Sequence, residues 1–416
     1  MKLTNKRSNG KNYLLAFTLA ALTCTYVQFN IPLLHRDWIL LLFSALILVV
    51  HNATPWKMKG YKYFFLYFCV LLLNYITGDS YFSSFPKLIC EITVLYVSVS
   101  FFDLANTNNL KLQRLLLFTF IGGMIITAIG TYIAEQSSPG VLRKVQSEIL
   151  NNGESATLYA FSKIGMTNYA LPHALPAILP INILIIKEKI IPISIKFINL
   201  ITLISSLAII FYSGATTPVL ISIATLIIAL FIRPGNINKN ITQILFLLLI
   251  ILILLYSKEY IAEFFLYISD RVNIIGGSHS LTERFKELHD FILTGDTNGD
   301  MEDRMEHYNS TTSIINSNIL WGINDDSYGG HSAILDRIAV LGLLGFIPFT
   351  CFLASQIIYF FKHLTPKYQA TYIICICTAL MTILTKNMFS REFCIITFLI
   401  VPLSLSFLQN FNYNKK

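Results

Sequence analysis

Residues 328–345 read Tyr328-Gly-Gly-His-Ser-Ala-Ile-Leu-Asp-Arg-Ile-Ala-Val-Leu-Gly-Leu-Leu-Gly345: a polar, glycine-marked loop that runs into an apolar segment. On a helix, His331, Leu335, Ile338, Gly342 and Gly345 fall on one stripe, with a histidine at its mouth and two glycines deeper in. Glycines three residues apart let a neighbouring backbone approach closely inside a membrane bundle. The same pattern also describes a capped helix that happens to begin beside a histidine, so the surrounding chain has to decide.

That chain is apolar throughout. Of 416 residues, 54% are hydrophobic and only 13% charged, with a mean hydropathy of +0.61. A soluble protein is nearer ~25% charged, so the expected fold class is an all-α polytopic membrane protein. Apolar segments fall at roughly 13–31, 38–51, 62–77, 86–102, 114–133, 168–186, 190–211, 216–232, 241–256, 333–361, 369–386 and 392–411, which predicts about twelve transmembrane helices. The chain divides accordingly into nine helices over 1–256, a large polar loop over 257–332, and three helices over 333–416. The first apolar run follows a basic flank, as a signal peptide does. It lacks a small-x-small cleavage site, and we expect it to stay as the first helix.

The net charge of +8 does not indicate a nucleic-acid partner. Residues 257–332 hold 5 Lys/Arg against 13 Asp/Glu, a net of −8, so the rest of the chain carries +16, mostly in short loops between apolar segments. With the N-terminus inside, 18 basic residues fall in the short inward segments and 12 in the far longer outward ones, apart from the helix-embedded Arg337. This satisfies the positive-inside rule and places both termini in the cytoplasm. The 257–332 loop then faces outward. Within it Leu281, Phe285, Leu288 and Ile292 form one helical apolar stripe, and Met301, Met305, Tyr308, Thr312 and Ile315 a weaker one. These helices should lie on the outer surface.

All seven cysteines lie in apolar segments and give neither a disulfide framework nor a metal spacing. Cys375 and Cys377 diverge on a helix and read as packing residues. Asp296–Glu302 hints at a calcium loop, but the sixth and twelfth positions are Met301 and His307 where glycine and glutamate belong. We expect no metal and no cofactor. Ionisable residues in the spans (Glu91, His173, Asp336, Arg337) cluster at the outward helix ends. A coupled transporter would keep them at mid-depth. Prolines at 172, 176 and 180 should bend the sixth span.

His279-Ser280 serves as an internal control. Nine residues intervene between Ser280 and Asp290, and no span follows, whereas His331-Ser332 is followed after nine intervening residues by Gly342-Leu-Leu-Gly345. That arrangement resembles the His-(Asn/Ser/Gln)-x9-Gly-x-x-Gly signature of the bacterial O-antigen polymerases and O-antigen ligases. Arg304 upstream, the segment Ile314-Ile-Asn-Ser-Asn-Ile-Leu-Trp-Gly-Ile323, and the twelve-span plan with a large loop after the ninth are similar to that superfamily too. Detailed similarity covers about residues 300–345. Members often carry an arginine in a Ser-Arg-Gly-Ala-like turn before the eighth span, whereas this chain has Tyr212-Ser-Gly-Ala-Thr-Thr217 there.

The resemblance implies a glycosyltransferase using an undecaprenyl-diphosphate-linked glycan at the outer face of the membrane. Its partners are that glycan, membrane lipid and a chain-length regulator protein. A histidine near neutral pKa can take the acceptor proton, and arginines can stabilise the leaving diphosphate. We therefore expect His331 as the base, Asp336 as an orienting group, and Arg304 and Arg284 as diphosphate contacts. Arg143 or Arg391 is the expected substitute for the missing arginine. Abundant Ile, Asn and Lys lean the choice toward a polymerase. An O-antigen ligase acting on a lipid A core, and a non-catalytic lipid-glycan flippase, stay open as competing readings.

Overall fold

The computed structural model describes residues 2–77, 85–105, 110–142, 144–145, 148, 155–231, 258–274, 279–294, 300–323, 332–387 and 389–413, with side chains left undescribed at 2–9, 258, 279–280, 300–304 and 412–413. It is 86% helical, and no strand occurs among the described residues. In chain order the helices are α1 (Lys2–Thr23), α2 (Thr25–Phe29), α3 (Asp37–Val50), α4 (Tyr61–Thr77), α5 (Phe85–Ala105) and α6 (Leu110–Ser137). Next come α7 (Ala156–Ser162), α8 (Ala170–Lys187), α9 (Ile193–Tyr212) and α10 (Thr216–Phe231). The loop helices are α11 (Lys258–Ile274), α12 (His279–Thr294) and α13 (Asp300–Ser317). The last three are α14 (Ala333–His363), α15 (Pro366–Thr385) and α16, which starts at Arg391 and passes a π turn (Ile396–Ile400) into Val401–Tyr413.

Helices cover eleven of the twelve apolar segments, and the ninth, 241–256, lies outside the described residues. Seven helices (α5, α6, α8, α9, α14, α15, α16) are long and apolar enough to cross a membrane, and α3, α4 and α10 are shorter apolar helices. Phe65, Ile76, Ile129 and Ile204 stand more than half exposed on them. An apolar surface of that kind suits lipid, and these helices mark the chain as a membrane protein.

Cross-helix polar contacts sort the bundle into two ends. At one end, Thr25 Oγ1 donates to the Met166 carbonyl at 2.7 Å, Asn168 Nδ2 to Glu392 at 2.7 Å, and Arg391 Nη1 to Asp37 at 2.7 Å. At the other, Lys367 pairs with Glu188 at 2.6 Å, Lys187 Nζ donates to the Ala229 carbonyl at 2.9 Å, and Asn410 Nδ2 to Gln113 at 3.3 Å. Each contact joins residues that strict alternation of the spans puts at the same end. We call these the arginine end and the lysine end.

The prolines of the sixth span bend it as expected: α8 runs as Ala170–Ala174, a 3-10 turn at Leu175–Ile178, then Leu179–Lys187. His173, near the start of that helix, is 1% exposed, with Nδ1 on the Tyr169 carbonyl at 2.9 Å. Cys375 is buried and Cys377 exposed, and all seven cysteines are free thiols. In the 134–167 connection, Ser155 and Thr157 hydroxyls donate to the Glu148 carboxylate, and those bonds hold it below its ordinary range.

Within the large loop, α11 and α12 pack as a pair against α10. Leu281 and Phe285, both fully buried, join Val272 beneath Phe211, Val219 and Leu220, and Leu288 packs against them. The first apolar stripe is therefore helical as expected, buried at Leu281 and Phe285 and half-buried at Leu288 and Ile292. The second is not buried: Met305 and Thr312 are exposed, and Thr311 turns inward in their place. A stripe with only one strong apolar residue per turn does not outweigh the pull of water on its polar neighbours.

The largest departure is in α14. Gly342 adopts φ 59°, ψ −173°, a conformation open essentially only to glycine, and breaks the helix in two. The stripe from His331 to Gly345 is therefore not continuous. Residues 318–323 fill the break. Ile323 N donates to the Ala339 carbonyl at 2.9 Å, Leu343 N to Ile319 at 2.8 Å and Leu344 N to Leu320 at 3.2 Å. A Cβ on Gly342 would lie 2.2 Å from the Leu320 carbonyl oxygen, and one on Gly322 would lie 2.3 Å from that of Val340. The backbone admitted at Gly342 thus comes from the chain's own loop. Gly345 faces side chains, Leu341 and Val70.

Candidate functional site

A cavity of about 400 Å³ opens at the arginine end, where α3, α5, α8 and α16 converge. Its polar wall consists of Asp37, Glu91, Asn168, Arg391 and Glu392, and Tyr169 and Phe389 supply aromatic faces. Glu91 lies nearly two turns into α5, and the other wall residues sit at helix ends for local reasons. Ser390 caps α16, its Oγ accepting from Phe393 N at 3.2 Å, so Arg391 and Glu392 occupy the first turn. Asp37 opens α3, and the Asn168 side chain accepts from Leu171 N at 3.0 Å, starting α8.

Arg391 is the hub. Its side chain is 5% exposed. Nη1 donates to Asp37 at 2.7 Å, Nη2 to Gln28 Oε1 at 3.1 Å and to Glu392 at 2.5 Å, and Nε to Glu392 at 3.1 Å. Every guanidinium nitrogen is thus engaged within the chain. A diphosphate could reach it only by displacing Asp37, the one partner open to solvent at 56% exposure.

Beside the cavity lies a second buried pair. Arg337 donates to both Glu91 and the Tyr67 hydroxyl, and that hydroxyl donates to Glu91 at 2.7 Å. Its guanidinium lies 4.2 Å from the ring centroid of Phe349 and 4.7 Å from that of Phe389. Glu91 and Phe389 therefore belong both to this pair and to the cavity wall. Charges so placed must be paired to be tolerated.

The start of α14 adjoins this cluster. Ser332 caps it, Oγ accepting from Leu335 N at 3.4 Å, and Ala333 N donates to the Lys386 carbonyl at 3.3 Å. Asp336 is 7% exposed on the first turn, next to Arg337. Of the residues expected from sequence, Asp336 and Arg391 thus come to the same end of the bundle. Arg284 is on α12, pairing with Glu287 at 2.6 Å one helical turn away. Arg304 lies on α13, its side chain outside the description, and His331 and Arg143 are outside the described residues.

Chemically the cavity is carboxylate-rich. Three carboxylates against two guanidiniums already committed to them, Arg391 and the Arg337 paired with Glu91, leave a net negative wall that disfavours a diphosphate. The same groups accept hydrogen bonds from hydroxyls, and the faces of Tyr169 and Phe389 suit the apolar face of a sugar ring. Sequence reasoning found Glu91 and Arg337 as outward charges without pairing them, and it missed Gln28, Asp37, Tyr67 and Asn168. The usable signal was opposite charge at the same end under strict alternation. Compared with models of known protein families and with curated proteins, the chain matches none.

Proposed function

We propose that the protein is a polysaccharide polymerase of the O-antigen type, which joins undecaprenyl-diphosphate-linked repeat units at the outer face of the inner membrane without metal or cofactor. The supporting observation is the backbone clip at Gly342. The two stretches that carry the resemblance, 314–323 and 342–345, are hydrogen-bonded to each other across a glycine-only helix break. A signature spaced as His-Ser-x9-Gly-x-x-Gly has a physical reason if its first glycine seats the loop that precedes the histidine.

In this reading the acceptor hydroxyl attacks the anomeric carbon of the donor glycan. His331 takes the hydroxyl proton as the new C–O bond forms, and the bond to the diphosphate breaks, releasing undecaprenyl diphosphate. Asp336 orients groups at the start of α14. Loop arginines, Arg304 foremost with Arg284 and Arg143 as further candidates, face the leaving diphosphate. The carboxylate-rich cavity receives a sugar unit, and Arg391 shapes that cavity and leaves the diphosphate to the loop.

The test is to supply purified protein with a lipid-linked repeat unit and resolve the products. A ladder that disappears in His331→Ala is expected. Transfer only when a lipid A core is added would make the protein a ligase. Movement of the lipid-linked unit across vesicles with no new glycosidic bond would make it a flippase. A ladder that survives His331→Ala would remove that histidine from the chemistry.

A further inference from the structure

At the lysine end, far from the arginine cavity, a second cavity of about 380 Å³ lies among α6, α8, α9 and α16. Its lining changes character with depth. Arg114 stands at the mouth, on the first turns of α6. Asn182 comes next, five residues before the α8 terminus at Lys187 and so about 8 Å along the helix. Below it the wall is mainly apolar, with Phe118, Ile121, Ile178 and Ile198 among its side chains; Thr202 and Ser404 add hydroxyls there, that of Thr202 donating to the Ile198 carbonyl at 3.0 Å. On α9 the lining runs from Pro192 to Thr202, a rise of about 15 Å, which is half of a ~30 Å hydrocarbon core.

Asn182 points to an occupant. It is 5% exposed, and its Nδ2 has no hydrogen-bond partner among the described residues. Its own carbonyl accepts from Asn199 Nδ2 at 2.8 Å, which fixes the neighbouring backbone without satisfying the amide. An unused donor buried at this depth needs an acceptor, and hydrocarbon offers none. The vertical order is cation, amide donor, then a crevice one leaflet deep. It complements one class of molecule from head to tail: the phosphate of a phosphoglyceride, its ester carbonyl, and an acyl chain.

We infer that this cavity binds a phosphoglyceride of the leaflet at the lysine end, with its phosphate on Arg114, an ester carbonyl on Asn182 Nδ2 and one acyl chain between α6 and α9. The site is separate from the proposed sugar cavity and stands whether or not the chain is a polymerase. A polyprenyl phosphate shares the phosphate and the apolar tail but has no ester for Asn182, and this difference discriminates the two.

The experiment is native mass spectrometry of the full-length, detergent-purified protein titrated with phosphatidylglycerol and, separately, with undecaprenyl phosphate. Phosphatidylglycerol should bind, and Arg114→Gln and Asn182→Leu should each weaken it about tenfold, the worth of one good hydrogen bond. Unchanged affinity in both variants would overturn the assignment. So would undecaprenyl phosphate binding that displaces phosphatidylglycerol and ignores Asn182→Leu. Wild-type protein provides a readout independent of whether the variants fold. A phosphatidylglycerol with a photoreactive acyl chain should label peptides containing Phe118 or Ile198, and labelling spread evenly around the apolar belt would also overturn the proposal.

Discussion

Arg391 and Glu392 are neighbours in sequence and almost wholly buried, 5% and 6% exposed at the side chain, at the mouth of a helix that is enclosed by the bundle along most of its length. Neither charge could stay there alone. Removing one partner of a buried pair leaves the other uncompensated, at a cost of about 3–5 kcal/mol. Arg391→Met should therefore destabilise the protein by roughly that amount, read as a loss in unfolding free energy in detergent micelles. Adding Glu392→Gln should restore at least half of it, because the amide can still meet Asn168 while the orphaned charge is gone. A purely functional arginine would give the opposite pattern, with full stability and no product in the single variant. That outcome would return Arg391 to the list of diphosphate anchors. Residues of this kind were half legible in sequence. Arg391, Glu91 and Arg337 announce themselves as ionisable groups at span ends. Asp37 and Gln28 read as ordinary loop residues, because nothing local records that the arginine closing on them comes from a turn more than 350 positions away.

At the scale of elements, the long apolar runs translated directly into helices, since a chain in lipid must satisfy its backbone internally. The buried stripe of α12 was equally plain, with Leu281 and Phe285 at i and i+4. The break inside α14 was not. A glycine pair in an apolar run reads as a helix-packing motif, and only the tertiary arrival of residues 318–323 turns Gly342 into a bridge between loop and span. Gly342→Ala would place a Cβ 2.2 Å from the Leu320 carbonyl oxygen and strain a positive φ, at a cost on the order of 1–3 kcal/mol for the backbone conformation alone. Gly345→Ala puts its Cβ 2.7 Å from that of Leu341, which must shift. It strains no positive φ and meets no backbone of the loop, so it should cost less. Hydrogen exchange should separate the two. The Ile323, Leu343 and Leu344 amides make the clip, and their protection should collapse in Gly342→Ala while surviving in Gly345→Ala. Equal protection in both variants would show that the clip does not depend on the glycine.

Over the whole molecule, two ends of opposite character emerge from contacts alone. The arginine end gathers Asp37, Glu91, Asn168, Arg337 and Arg391, and the lysine end gathers Lys187, Glu188 and Lys367. The loops at the lysine end are short and basic, and the positive-inside rule would hold them in the cytoplasm. Alkaline phosphatase folds to an active enzyme only on the translocated side, so fusions read this directly. Joined after Lys386, at the turn beside the arginine cavity, it should be active. Joined within Lys187–Lys189 it should be silent, and green fluorescent protein there should fluoresce. The same experiment bears on function. A donor glycan carried on a lipid diphosphate and an acceptor presented outside can meet only where the carboxylate-rich cavity and the start of α14 face outward. A reversed pattern would put both in the cytoplasm and leave the phosphoglyceride crevice in the outer leaflet. The polymerase reading could not survive that result, whereas the lipid site would merely change leaflets, because its complementarity depends on depth and not on side.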